Sequence, residues 1–285
     1  MKQRPGMSND GETWTLKKFH GAIKVDQNYN GDLVAAYLDT ETTGLDHRKE
    51  SVIELGILIF KIDTDSGKIT EILEDYSQFQ DPGRPIPEVV VQLTGITDEM
   101  VCGQSIRWET VNQMLTTVDI IIAHNAKFDR GFIDPLVPIS SERIWACSMS
   151  QVDWSGTGTS CRNLSHLCME HGYFFDSHRA INDVKAGVQL LSFDSPKTGK
   201  PYLWELNQNC QQSELLVSAE GSPFSTKDIL KAKGFRWNAP KKVWQKRINT
   251  AQKDEIQEFF DSEIYNRPGC GRFAEIPPKD RFKSD

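Results

Sequence analysis

A run of five apolar residues, Val34-Ala-Ala-Tyr-Leu38, stops at Asp39-Thr-Glu41 and passes directly into Thr-Thr-Gly44. A short apolar run closed by a turn signal predicts a buried β-strand. Strand side chains alternate, so Asp39 and Glu41 share one face and Thr40 takes the other. Two carboxylates held side by side repel, and each makes its neighbour harder to ionise. Such pairs are common on solvated strands, but the apolar run before this one argues against simple exposure. The pair calls for a cation, and oxygen ligands of this kind suit Mg²⁺ or Mn²⁺.

Strands are predicted at 34–39, 52–60 and 69–79, with a hairpin at Gly67 between the last two. The third interleaves Glu and Asp with apolar residues, as an exposed edge strand does. Helical patterning follows at 87–93 and 108–118, then a short buried strand at 119–123, a helix from Ala126 and a strand at 143–147. Further helices are expected at 161–171 and 179–191. A hairpin series followed by alternating strands and helices implies an α/β fold, a mixed β-sheet flanked by helices.

The expected divisions are an N-terminal extension at 1–32, a main domain at 33–195, a linker at 196–212, a small basic and aromatic α+β domain at 213–266, and a flexible tail at 267–285. Within the small domain the pattern predicts a strand at 214–219, a helix at 225–233, a hairpin at 235–248 turning at Asn238-Ala-Pro, and a helix at 250–264. Thr250 is its expected N-cap.

Hydrophobic residues make up 38% and charged residues 26% of the chain, which is ordinary for a globular protein. No apolar run reaches the ~18–20 residues that span a bilayer, so no membrane partner is expected. With a polar N-terminus that lacks a signal-peptide core, the expectation is a cytoplasmic protein. The six cysteines show no framework spacing and are expected as reduced thiols. Cys161, His166, Cys168 and His171 crowd eleven residues, which raises a zinc site. The segment 163–171 reads instead as an amphipathic helix with Leu164, Leu167 and Cys168 on its buried stripe, and structural zinc favours cleaner paired spacings.

The net charge of −7 is unevenly spread. Between Ser225 and Ile248, Lys227, Lys231, Lys233, Arg236, Lys241, Lys242, Lys246 and Arg247 face Asp228 alone, so that window carries +7 and the remainder −14. An acidic body with a basic patch at one end suits a metal-dependent nuclease, although a solvated helix and hairpin gives the same count.

Two further acids stand at element boundaries: Asp129 in Ala123-His-Asn-Ala-Lys-Phe-Asp129, and Asp183 in His178-Arg-Ala-Ile-Asn-Asp183. Together with Asp39-Thr-Glu-Thr-Thr-Gly44, these segments resemble, in order, the three motifs of the DnaQ-like (DEDDh) 3′→5′ exonucleases, and Gln92-Leu-Thr-Gly-Ile-Thr97 resembles that family's intermediate motif. The resemblance covers about residues 34–191 and implies a ribonuclease-H-like fold with two-metal phosphodiester hydrolysis. By that resemblance Asp39, Glu41, Asp129 and Asp183 hold two Mg²⁺ or Mn²⁺ ions, and His178 acts as general base from a loop able to swing toward the phosphate. It also implies that Thr40 and Thr43 lie near the terminal nucleotide, that Leu45 wedges against its base, that Asn125 orients site groups, and that Phe128 contacts substrate or serves as core. Glu54 gains no metal role and reads as structural.

In the C-terminal stretch, basic residues interleave with Phe235, Trp237 and Trp244. The aromatics are expected chiefly as core of a small unit, and Arg236, Lys241 and Lys242 as phosphate contacts. The expected partner is nucleic acid with a free 3′ end, single-stranded DNA first and RNA next; the resemblance leaves a homodimer open. The motifs leave an exoribonuclease and a non-catalytic nucleic-acid-binding module as alternatives. A polymerase proofreading subunit ranks lower, because the C-terminal unit is basic and patterned to fold rather than a loose docking tail.

Overall fold

The computed structural model describes residues 5–8 and 10–284. The chain forms two compact units, one reaching to Cys210 and taking back the residues from Phe282 onward, the other spanning Gln211–Arg281.

The first unit is built on a five-stranded sheet of order β4-β3-β2-β5-β6. Its strands are β2 (Leu33–Thr42), β3 (Val52–Ile62), β4 (Ile69–Phe79), β5 (Ile120–Ala123) and β6 (Ile144–Cys147). A short strand β1 (Lys17–Lys18) precedes them and pairs in parallel with β7 (Tyr173–Phe174). Strands β2, β3 and β4 run antiparallel, while β5 and β6 lie parallel to β2. The helices are α1 (Glu88–Thr94), α2 (Asp98–Val101), α3 (Trp108–Thr116), α4 (Ala126–Ile133), α5 (Leu164–Glu170), α6 (Ala180–Leu191) and α7 (Tyr202–Cys210).

Strand alternation feeds a separate core on each face of the sheet. Ala35, Tyr37, Leu58 and Phe60 meet Val184 and Val188 of α6. Ala36, Leu38, Ile57 and Ile59 meet Leu115 of α3 and Phe132 of α4. The central strand β2 is thus sandwiched between α6 and α4, and its C-terminal end is where acids from both helices arrive. β4 is the edge strand, with Glu71 to Asp75 exposed, as its interleaved acids predict.

Three of the expected divisions differ from the structure. The N-terminal extension is folded onto the unit: Phe19, Ile23 and Val25 pack against the α6-side core, and β1 takes an edge of β7. The linker at 196–212 contains α7, whose Tyr202, Leu203, Leu206 and Cys210 are fully buried. Four apolar residues on one helical face supply that burial; the turn-rich stretch before them masked the pattern. The tail at 267–285 contributes β11 (Arg272–Ile276), which pairs with β8 (Glu214–Ala219) and satisfies that strand's outer backbone groups.

The second unit is an antiparallel sheet of order β11-β8-β10-β9, completed by β9 (Arg236–Asn238) and β10 (Val243–Asn249) and accompanied by α8 (Lys227–Ala232) and α9 (Lys253–Phe259). Its core joins Leu215, Val217, Leu230, Phe235, Ile248, Ile256 and Phe260. Asn249, not Thr250, caps the last helical segment: its side chain accepts from the Ala251 N–H at 3.0 Å, and Gln252 reaches back to its backbone. Among the described residues no helix is long and apolar enough to cross a membrane.

Candidate active site

Asp39 and Glu41 project from the end of β2 on the side that carries α6, as alternation requires. Asp183 lies in the first turn of α6. Carboxylate oxygens of these three residues all lie within 4.8 Å of one another. Asp129 comes from α4 on the other face and stands outside that triad. It is buried, and its Oδ1 accepts from the Thr40 N–H at 3.1 Å and the Thr40 hydroxyl at 2.8 Å. Thr40 therefore uses its opposite-facing position to hold the fourth acid.

What brings α6 so close to the sheet is the absence of side chains. A Cβ on Gly56 of β3 would sit 2.6 Å from the backbone of Ala180 and Ile181, and one on Gly187 would sit 2.2 Å from the Tyr37 hydroxyl. The helix head is then pinned by Glu54, a β3 residue only 1% exposed. It accepts from the Ala180 N–H at 3.0 Å and from the Arg179 guanidinium at 3.2–3.3 Å. Glu54 pairs directly with Glu41 across β2 and β3, and like charges facing each other across strands are unfavourable. Arg179 is the cation that relieves them: it pulls the Glu41 carboxyl down while bonding Glu54. The reading of Glu54 as structural matches this placement, whereas Arg179 drew no role from the sequence. The acid pair Glu41 and Glu54 was its signal, visible only once strand register was known.

His178 is half-buried and immediately precedes this pinned helix head, with φ 64°. Asn125, which precedes α4, has φ 77°. Non-glycine residues in the left-handed region cost about 1 kcal/mol or more, and they concentrate at functional sites. Here both stand at the head of a helix that delivers an acid.

The acids are strongly perturbed. Burial, then Asp129, Asp183 and Glu41, push the Asp39 carboxyl well above the usual carboxylate range. Burial followed by Asp183 raises Glu41 to about 8. Asp129 is raised to about 7 by burial, against the pull of its Thr40 bonds. Asp183 is likewise raised to about 7 by burial, opposed by N–H bonds from Arg179 and His178. Acids packed this closely take up protons or a cation, and a set of hard oxygen donors fits a divalent ion of the magnesium type.

The supporting residues divide. Thr43 is buried, and its backbone N–H is committed to the Ser51 carbonyl at 2.9 Å. Its hydroxyl donates to Glu50 at 2.6 Å and accepts from Arg84 at 3.0 Å, so Thr43 clamps its own loop. Leu45 on that loop is 87% exposed. The Asn125 side chain is exposed and makes no cap bond. Phe128 is half-buried against Phe132, centroids 5.1 Å apart, and joins the α4-side core. His124 bonds the Ser148 hydroxyl and the Arg162 carbonyl, and burial lowers its pKa. Arg236, Lys241 and Lys242 belong to the second unit and are exposed.

The exonuclease family model (RNase_T) matches residues 37–191. The DNA polymerase III PolC-type of Bacillus subtilis (strain 168) is 30% identical over 190 residues, which cover 61% of this chain and 12% of that protein. The DNA polymerase III subunit epsilon of Treponema pallidum (strain Nichols) is 28% identical over 163 residues, 54% of this chain and 73% of that one. Among solved structures, exonuclease X in complex with 5′ overhanging duplex DNA covers 61% of this chain and 98% of its own at 23% identity, with a TM-score of 0.45. The chain spans only 12% of the first of these relatives.

Proposed function

The chain belongs to the exonuclease family, and from that premise we propose that it hydrolyses phosphodiester bonds from the 3′ end of DNA. The observation that carries this reading is the convergence of Asp39, Glu41 and Asp183 within 4.8 Å at the end of β2, with Asp129 held beside them by Thr40. An acidic pocket repels a phosphodiester unless cations lie between them. Asp39, Glu41, Asp129 and Asp183 would hold two Mg²⁺ or Mn²⁺ ions, which would polarise the phosphate and acidify a water.

The chain's own residues do the rest. His178 takes the proton of the attacking water as its oxygen bonds phosphorus. The bond from phosphorus to the 3′ oxygen breaks, which releases a 5′-mononucleotide and leaves a new 3′ hydroxyl on the strand. Arg179 and Glu54 keep His178 and Asp183 at the helix head. Leu45, free in solvent, wedges against the terminal base, and Asn125 contacts the terminal nucleotide. The relatives, a DNA polymerase III of PolC type and a DNA polymerase III subunit epsilon, support DNA over RNA as substrate. The absence of framework spacing among the six cysteines of the sequence favours a reducing, cytoplasmic setting.

The test is digestion of single-stranded DNA, duplex DNA and RNA, each labelled at either end. The expected result is release of 3′-terminal mononucleotides from DNA with Mg²⁺ or Mn²⁺ and none in EDTA. Release confined to 5′ labels would overturn the polarity, and a preference for RNA would make the enzyme an exoribonuclease.

A further inference from the structure

The second unit buries Phe235, Phe259 and Phe260 yet leaves Phe224 81% and Trp237 50% exposed. Both exposed rings belong to a series of aromatic and cationic contacts. Lys227 Nζ lies 4.5 Å from the Phe224 centroid. Lys231, one turn along α8 and on the same side of it, lies 5.9 Å from the Trp244 centroid. Trp244 packs on Trp237 with centroids 5.5 Å apart. Phe224, Lys227, Lys231, Trp244 and Trp237 thus follow one another along one ribbon, with two ammonium groups between the rings.

The ribbon is distinct from the open sheet face. Arg236 pairs with Gln245, and Trp237 with Trp244. Alternation therefore sends Arg236, expected from the sequence as a phosphate contact, to the side opposite the tryptophans. Arg272, opposite Ser218 and in line with Gln245, shares that other side.

We propose that this ribbon binds single-stranded nucleic acid, with bases stacked on Trp237 and Phe224 and phosphates neutralised by Lys227 and Lys231. Charge complementarity chooses the occupant. Asp228 is the sole acid between Ser225 and Ile248, and it lies 3.9 Å from Lys231. A partner must offer repeated negative charge and flat apolar groups together. An unpaired strand does so, whereas a duplex keeps its base faces in the stack. The site rests on the exonuclease reading for its place in the reaction, as a grip on the strand, but not for binding itself.

The experiment uses the full chain in EDTA, where binding is read apart from hydrolysis, with a fluorescein-labelled dT oligonucleotide. Expected are quenching of tryptophan emission and a roughly tenfold loss of affinity in each of Trp237→Ala and Phe224→Ala. Trp237→Phe retains most of the affinity, and Lys227→Gln with Lys231→Gln flattens the salt dependence. Arg272→Gln binds as wild type. A matching rU oligomer competes, and duplex DNA binds more weakly. Unchanged affinity in Phe224→Ala and Trp237→Ala, an equal loss in Arg272→Gln, or tighter binding of duplex would overturn the proposal. Thermal melts establish that each variant is folded; the 81% exposure of Phe224 makes its alanine variant structurally mild. Loss of hydrolysis with binding intact would count against the exonuclease reading alone.

Discussion

Neutralising one acid of the cluster is expected to stabilise the metal-free protein. Glu41 is raised from 4.5 to about 8, chiefly by burial and then by Asp183. A carboxyl whose folded pKa lies above its unfolded value favours folding only while protonated. Its protection is complete below the unfolded value and disappears as pH rises through about 8. At ~1.36 kcal/mol per pH unit the whole span is on the order of 5 kcal/mol. Glu41→Gln recovers only part of it, because Asp39, Asp129 and Asp183 still repel one another; roughly 2 kcal/mol is expected. For a unit of this size that raises Tm by about 4–8 °C. The assay is thermal unfolding in EDTA near pH 5 and near pH 8, followed by titration with Mg²⁺ or Mn²⁺. Wild type should melt lower at the higher pH and recover with metal, because a ligand that binds only the folded state stabilises it. The variant should show a shallower pH dependence and a smaller metal response. If Glu41→Gln melts below wild type at pH 8 without metal, or both share one pH profile, the electrostatic reasoning fails.

His178→Ala should lower kcat by about 10²–10⁴-fold while leaving the metal-induced rise in Tm in place; loss of both together would make His178 structural. Glu54→Gln exchanges the carboxylate that accepts from the Ala180 N–H and from Arg179, a side chain 39% exposed, for a neutral amide, and a cost of about 1 kcal/mol by denaturant unfolding is expected together with lower kcat. A stability and kcat equal to wild type would show that the helix head is held by other contacts. Gly56→Ala places a methyl 2.6 Å from the α6 backbone, so it should cost about 1–3 kcal/mol in chemical denaturation and reduce metal affinity by displacing Asp183. An unchanged denaturation midpoint would contradict that close approach.

The strands of the main unit were legible because their apolar runs are short and bounded by turns, and β2, β3, β4, β5 and β6 all fall within a few residues of the expected ranges. Asp39 and Glu41 were legible because they sit where an apolar run ends, whereas Asp129 and Asp183 were legible through the resemblance of their motifs to the DnaQ-like exonucleases. Helix α7 escaped notice because Tyr202, Leu203, Leu206 and Cys210 follow a turn-rich stretch that looked like a boundary. β11 escaped because five residues in a Gly- and Pro-rich tail form a strand only when β8 offers an open edge. Treating Phe235, Trp237 and Trp244 as one class was too coarse. Phe235 is 3% exposed and Trp237 50%, a difference set by the cover that Phe259 and Phe260 give Phe235.

Local order therefore determined which residues sit at strand ends and helix heads, since periodicity, turns and charge placement are properties of neighbours along the chain. The tertiary structure decided what those residues meet. It set Glu41 opposite Glu54 across two strands, summoned Arg179 to relieve them, let α6 approach over Gly56, and hung Asp129 from Thr40. Those contacts join residues up to 126 positions apart. Their energies come from burial, which strips water from like charges, and no pattern along the backbone encodes that.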